Sequence, residues 1–336
     1  MHDLAKVSVI QSIRPIEGKD RIVLARVENY DTIVTKDFSV GDRVVYIFYD
    51  SILPSTNEAF DFLRKRCFNK KLDGYHIKPM KMGGVISEGL VMPLSILPKD
   101  REYSVGDIVT DDLGIRPYLP PEESGPSSKV GSYPPLVPKS DEDNIESVYG
   151  YWNDWKDLDF YVTEKVEGAA GTWIYRKEDD SFHVYSHNWE VDGGFWADAA
   201  ANNSLREKMK AYAERHNLDD LVLQGECCGP GIQKNIYHLN KADIFFYGMM
   251  DTNGKRCGFE DFRSALCEME LRMVPLVYET ARLPENIDMI LSDCVGMSLI
   301  EKDVPREGLV WRTKGTDRNV HFKVKSRPYK VWFEDR

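Results

Sequence analysis

The sequence predicts an α+β protein of two domains. A small N-terminal β-barrel or sandwich is followed by a larger domain with antiparallel sheets and flanking helices. Three observations predict this. Residues 5–54 hold short Val-, Ile- and Tyr-rich runs separated by turn residues. Residues 111–140 are crowded with Pro, Ser and Gly and carry no apolar period. From about residue 141 onward, strand-like and helix-like segments alternate without a regular strand–helix–strand repeat.

The length agrees: 336 residues exceed one ordinary domain. With 42% hydrophobic and 29% charged residues, a wholly disordered or collagen-like chain is excluded. The formal charge of −11 excludes a uniformly basic coat, but not a local basic patch. The first 110 residues are near neutral, so all of the excess acid lies beyond them.

In residues 1–110 the runs AKVSVIQSIRPI, RIVLARVENY, TIVTK and DRVVYIFYD read as strands. Pro15 with Gly18, Asn29–Asp31 and Gly41–Asp42 mark the turns. A short helix is expected near Asn57–Lys65. Then comes a segment in which Arg64, Lys65, Arg66, Lys70, Lys71, Lys78 and Lys81 interleave with Phe68, Tyr75 and His76. Cations between aromatic rings suit a phosphate backbone and stacked bases, as in an OB-fold; a solvated loop has the same composition. The 111–140 segment is read as a linker.

In residues 141–336, DFYVTEKVEG, GTWIYRK, FHVYSHN, LVLQGECCG, ADIFFYGMMD, GLVWRT and VHFKVKS read as strands. NNSLREKMKAYAERHN is a helix with Leu205, Met209, Tyr212 and Ala213 on one face and Asn203 or Ser204 as cap. GFEDFRSALCEMEL is another helix. Trp173, Trp189 and Trp311 are assigned to packing. No dinucleotide fingerprint, Walker-A loop or Cys-x-x-Cys zinc spacing occurs. The six cysteines suit free thiols in a reducing compartment. The N-terminus lacks a signal-peptide core, and no apolar run approaches membrane length. The chain therefore reads as soluble, intracellular and cytoplasmic, with nuclear or virus-encoded origin also compatible.

Lys165 follows a strand in TEKVEGAAGTW, with Gly168 three residues on. Glu164 and Glu167 beside it should raise its pKa, the wrong direction for a nucleophile unless a cation screens them. Further along come VYSHN, LQGECCGPGIQ, IFFYGMMD, REGLVWR and FKVKS. This ordered set resembles the motifs of the covalent nucleotidyltransferases, the superfamily of ATP-dependent ligases and capping enzymes. It is most similar to RNA ligases. The runs IRPIEGKDRIVLARV, VGDRVVYIFYDSILP, KMGGVISEGLVMPL and VPKSDED resemble the family in which an OB domain comes first.

The resemblance implies residues 1–110 as OB domain, 111–140 as linker and 141–336 as nucleotidyltransferase domain. It implies ATP-dependent joining of RNA 3′-hydroxyl and 5′-phosphate ends, through lysyl-AMP and RNA-adenylate, in RNA repair. Lys165 is then the nucleophile, with Lys323, Lys325 and Glu307 also catalytic. Lys323 and Lys325 share a strand face and are placed to hold the α-phosphate. Glu164, Lys165, Gly168, His187, Asn188, Glu226, Tyr247, Val310, Lys323 and Lys325 would bind the nucleotide. Tyr247 would stack on adenine with Val310 opposite, and the Glu164 backbone would meet the base edge. Glu167, Glu226 and Glu307 would hold Mg²⁺ or Mn²⁺ through water. RNA would lie on Arg64, Lys65, Arg66, Lys70, Lys71 and Lys81. A monomer without membrane contact is expected.

Five positions depart from the family pattern. Glu167 stands for an Asp, His187 for an Arg, Tyr247–Gly248 for Phe-Asp, and Asn144 for an Arg. Two other readings share features of the sequence. One is a capping guanylyltransferase, in which the OB domain normally follows the catalytic domain. The other is an RNA-binding OB protein with a degenerate ligase domain.

Overall fold

The computed structural model describes residues 3–118 and 129–334, and the middle of the expected linker lies outside them. The chain divides into two compact units, residues 1–122 with 330–336, and residues 123–329.

The first unit is built on the Arg43–Ile47 strand, paired antiparallel with Ala5–Val9 and Leu90–Pro93. Its side chains alternate between two cores. Val45 and Ile47 join Val7, Leu53, Phe60 and Tyr75. Val44 and Tyr46 join Val23, Ala25 and Tyr30. Burial on both faces explains the unbroken apolar run in DRVVYIFYD. The Ile22–Val27 and Tyr30–Thr35 strands form a hairpin whose two-residue turn, Glu28–Asn29, has positive φ at both positions. The expected helix splits into a 3-10 turn at Glu58–Leu63, capped by the Asn57 side chain, and Arg64–Cys67. Within this unit Lys330 also forms a 2.6 Å pair with the fully buried Glu88.

The structured parts reach further into the 111–140 segment than its composition predicts. Leu113 and Ile115 fill the first core, and Arg116–Pro117 pairs with Ser51–Pro54. Lys129–Ser132 pairs with Trp189–Val191 in the second unit. Pro-rich sequence is compatible with such short edge strands.

The second unit holds two sheets. The six-stranded sheet runs in the order Lys129–Ser132, Trp189–Val191, Ser181–Tyr185, Ala169–Arg176, Asp220–Cys228, Asp243–Met250. The five-stranded sheet runs Asp143–Asn144, His321–Lys325, Gly308–Thr313, Phe160–Lys165, Leu276–Ala281. Every pairing is antiparallel except that of Asp143–Asn144. Helices Gly194–Asn202, Leu205–His216 and Phe259–Glu268 bury apolar faces on the six-stranded sheet. Leu205, Met209 and Ala213 are buried with Tyr212 against them, the face that the spacing predicts.

Two local expectations change, and one strand is irregular. Ser204 precedes its helix but is left-handed (φ 50°) and makes no side-chain cap, while the Asn203 amide donates to Ala199 in the preceding helix. Trp173 and Trp311 are core residues, but Trp189 is 38% exposed, with the Lys129 ammonium 4.6 Å from its ring centre. The Ile-Phe-Phe-Tyr strand does not alternate cleanly. Register slips between Gln224↔Gly248 and Gly225↔Phe246, so Tyr247 is the extra residue of a bulge. A bulge re-aims side chains, and Tyr247 and Gly248 face cavities as a result.

Candidate active site

Lys165 ends its strand opposite Gly308, in register with Thr163↔Val310. Alternation sends Lys165, Thr163 and Tyr161 to one face, and Val162 and Phe160 into the core behind. On the neighbouring strands Val310 and Arg312 share that face, as do Lys323 and Lys325. Two glycines make the close approach possible. A Cβ on Gly308 would stand 2.1 Å from the Val324 carbonyl oxygen, and one on Gly168 would stand 2.2 Å from that of Cys227.

These strands wall a cavity of about 180 Å³. Of the expected nucleotide contacts, Glu164, Lys165, His187, Glu226, Tyr247, Val310 and Lys323 line it. Gly168, Asn188 and Lys325 are not among its lining residues, and neither are Glu167 and Glu307. Asn188 instead accepts a 2.6 Å bond from Lys139, and His187 Nε2 is 3.5 Å from Asp141. Thr163, Ala170 and Val274 complete an apolar section around Tyr247 and Val310.

The Lys165 ammonium lies 2.9 Å from Glu307 Oε1 and 3.0 Å from Oε2. Burial alone would lower the lysine pKa, but Glu307, Glu226 and Glu167 outweigh it and hold the group above the ordinary lysine range. The carboxylates respond in turn. Burial, then repulsion from Glu307, pushes Glu167 up to about 8. Burial, followed by Glu307 and Glu167 against the pull of Lys165, pushes Glu226 up to about 8. Lys323 shifts the other way, lowered by burial and then by Lys165. The cluster has more negative charge than one ammonium balances. Its hard oxygen donors suit Mg²⁺ or Mn²⁺. Among the described residues no group of three or more His, Cys, Asp or Glu side chains is arranged to hold a metal ion directly.

Glu164 is buried. Its Oε2 accepts from the Leu299 N–H at 2.7 Å, while Oε1 has no hydrogen-bond partner among the described residues. Burial raises its pKa. Its backbone N–H is donated to the Pro275 carbonyl.

Sequence reasoning missed several residues here. The Tyr329 hydroxyl donates to Glu167 Oε2 at 3.0 Å, and the Tyr237 hydroxyl accepts from the Glu167 N–H at 2.9 Å. Arg312 is buried against Glu142 at 2.5 Å with its guanidinium 5.3 Å from the Tyr247 ring centre. The Tyr247 hydroxyl donates to Ser140. Charged Arg312 and Glu142 on otherwise apolar or linker-like runs were the available signal.

A strand-end lysine caged by carboxylates stands beside a cavity that Tyr247 and a second lysine line. The chain belongs to the RNA ligase family, whose pattern it matches over residues 158–331, and an OB-fold domain pattern matches residues 4–94. Among solved structures it is similar to Naegleria gruberi RNA ligase. The likeness to a variant of that ligase with AMP and Mn has a TM-score of 0.87 at 27% identity, covering 100% of both chains. That to the ligase with PPi has a TM-score of 0.86 at 27% identity, again over 100% of both. No curated protein matches. Among the described residues no helix is long and apolar enough to cross a membrane.

Proposed function

We propose that this protein seals RNA by ATP-dependent adenylyl transfer. The observation that carries the reading is Lys165, held by Glu307 at the mouth of the cavity that Tyr247, Val310 and Lys323 line. The structures with ATP or AMP and Mn of the Naegleria gruberi ligase support ATP as nucleotide and a divalent cation.

In this reading adenine sits between Tyr247 and Val310, which exclude water from its faces. The Glu164 carbonyl meets its edge and Glu226 the ribose. Lys323 and Lys325 hold the α-phosphate oxygens. The Lys165 amine attacks the α-phosphorus, the Lys165–AMP phosphoramidate forms, and pyrophosphate leaves. AMP then passes to the 5′-phosphate of an RNA end. Finally the RNA 3′-hydroxyl attacks that phosphorus and AMP leaves. Each step is displacement at phosphorus, so positioning and charge neutralisation dominate. Glu167, Glu226 and Glu307 hold Mg²⁺ or Mn²⁺ through water, and the bound cation neutralises their charge and that of the phosphates. The longer Glu167 reaches the cluster as an Asp would, and Tyr329 braces it.

Arg64, Lys65, Arg66, Lys70, Lys71 and Lys81 are all exposed, and Phe62 and Phe68 stand among them at 63% and 38% exposure. Lys65, Lys70, Lys71 and Lys81 have no carboxylate partner among the described residues, which supports their engaging RNA. The six free cysteines support a reducing, cytoplasmic setting for RNA repair.

The test is incubation with α-labelled ATP or GTP and Mg²⁺, then a denaturing gel. Covalent label from ATP, absent in Lys165→Ala, is the expected result. Label from GTP alone would indicate capping chemistry. No label with either nucleotide would indicate an RNA-binding protein with a decayed site.

A further inference from the structure

A second cavity, of about 300 Å³, lies on the far side of Tyr247 and Arg312, which line both cavities. Tyr161 lines it too. At about 3.3 Å per strand residue, Tyr161 is about 13 Å along the strand from Lys165, so this space is distinct from the phosphate end of the first.

Its charge is one-sided. Lys255, Arg256 and Arg312 line it, and no Asp or Glu does. Arg312 is answered by Glu142, whereas Arg256 has no carboxylate within ion-pair reach among the described residues. Among the described residues the Arg256 guanidinium makes one hydrogen bond, a long one of 3.4 Å to Gln224 Oε1, and its Nε is buried without a partner. His321 Nδ1 is likewise buried without a partner among the described residues. Burial, then repulsion from the neighbouring Arg312, lowers the Arg256 pKa.

Gly248 explains the deficit. A Cβ built there would stand 3.2 Å from Arg256 Nη1 and 3.5 Å from Gln224 Oε1. This is the position where the family pattern has Asp. A carboxylate on that Cβ would meet the guanidinium; with glycine the cation is uncompensated, and the room beside it is the cavity that Gly248 and Arg256 both line. Removing one partner of a buried pair is costly unless something replaces it.

We propose that Arg256 and the space beside Gly248 form a binding site for a small oxyanion, a phosphate or carboxylate group that stands in for the missing side-chain carboxylate. A guanidinium takes either group through paired N–H···O bonds. Tyr247 and Arg312 form a common wall, so an occupant here stiffens one side of the neighbouring cavity.

Thermal midpoints of the full-length protein test this, read in sodium phosphate, sodium acetate and sodium chloride at equal ionic strength and pH. Phosphate or acetate should raise the wild-type midpoint above its value in chloride, and the more effective of the two identifies the group. Gly248→Asp should raise the midpoint in chloride and weaken the response to added anion by about tenfold in apparent Kd. Arg256→Met should lose the response without that gain in chloride. Any response that survives in both variants belongs to the lysine end of the first cavity. No wild-type response, or one equal in all three proteins, overturns the proposal. If Gly248→Asp does not fold, Arg256→Met against wild type decides alone.

Discussion

The Lys165 ammonium and the Glu307 carboxylate are 2.9 Å apart, although 142 positions separate them in the chain. That contact joins the first motif to the fourth across adjacent strands and sets the charge state of the site. Glu307 is only 7% exposed, so it acts on Lys165 with little screening by water.

The acidic excess predicts a reversed pH dependence of stability without metal. Glu167 and Glu226 titrate near 8 in the folded protein, against an unfolded value of about 4.3. The fold therefore binds protons that the unfolded chain releases, and stability falls as pH rises from about 4.3 to about 8. Lys165 is raised above its unfolded value of about 10.4, so its favourable contribution is constant across that window and is lost only at higher pH. In EDTA, the thermal midpoint should drop by several degrees between about pH 5.5 and about pH 8.5. Mg²⁺ should flatten the curve by satisfying the carboxylates. A midpoint that rises over the same interval in EDTA would contradict the charge balance.

Lys165→Ala should abolish covalent AMP labelling, by about a thousandfold or more, because no other group replaces a deleted nucleophile. Circular dichroism should show a folded variant. It will be less stable than wild type in EDTA at alkaline pH, since three carboxylates lose their counter-charge, and Mg²⁺ should narrow the gap. Persistent labelling would assign the nucleophile to another lysine.

Much of this site was legible because its chemistry is local in sequence. Lys165, Glu226 and Lys323 each lie on a short, strongly patterned strand, Glu307 directly precedes another, and strand alternation alone places Lys323 and Lys325 on one face. The braces were not legible. Tyr329 and Glu167 are 162 positions apart, and Arg312 and Glu142 are 170 apart, brought together only by the tertiary fold. The two edge strands at Arg116–Pro117 and Lys129–Ser132 were hidden by Pro, Gly and Ser, whose composition reads as linker. The bulge at Tyr247 defeated a simple period-two reading of its strand, yet it is what points Gly248 at Arg256.

Tyr247→Ala should raise the ATP concentration needed for half-maximal labelling by roughly tenfold, the scale of one lost stacking partner. Tyr247→Phe keeps the ring and loses only the 2.7 Å bond to Ser140, so it should cost far less. Equal losses in both variants would mean that the hydroxyl, not the ring, is what matters.

Replacing Lys65, Lys70, Lys71 and Lys81 together by Ala should leave AMP labelling near wild type and weaken RNA sealing and RNA binding. The salt dependence of RNA binding should become shallower by up to the number of phosphate contacts removed. An unchanged salt slope would place the RNA elsewhere.

Tyr329 should act as a positioning residue through Glu167. Ser326 donates its N–H to the Glu307 carbonyl, and its hydroxyl accepts from the Tyr329 N–H, capping the Arg327–Glu334 helix. The fourth-motif strand therefore fixes where that helix begins, and the helix fixes the Tyr329 hydroxyl on Glu167 Oε2. Tyr329 is 3% exposed, and burial holds its pKa far above the ordinary phenol range, so it remains a donor at every working pH. Tyr329→Phe fills the same volume and removes one bond to a charged group, worth roughly 1.5–3 kcal/mol. Labelling should slow by about tenfold, with a rise in the Mg²⁺ concentration required and little change in the ATP requirement. In a Glu167→Gln background the same substitution should do much less, because the shared partner is already altered. Fully additive effects would mean that Tyr329 stabilises the fold without directing the carboxylate.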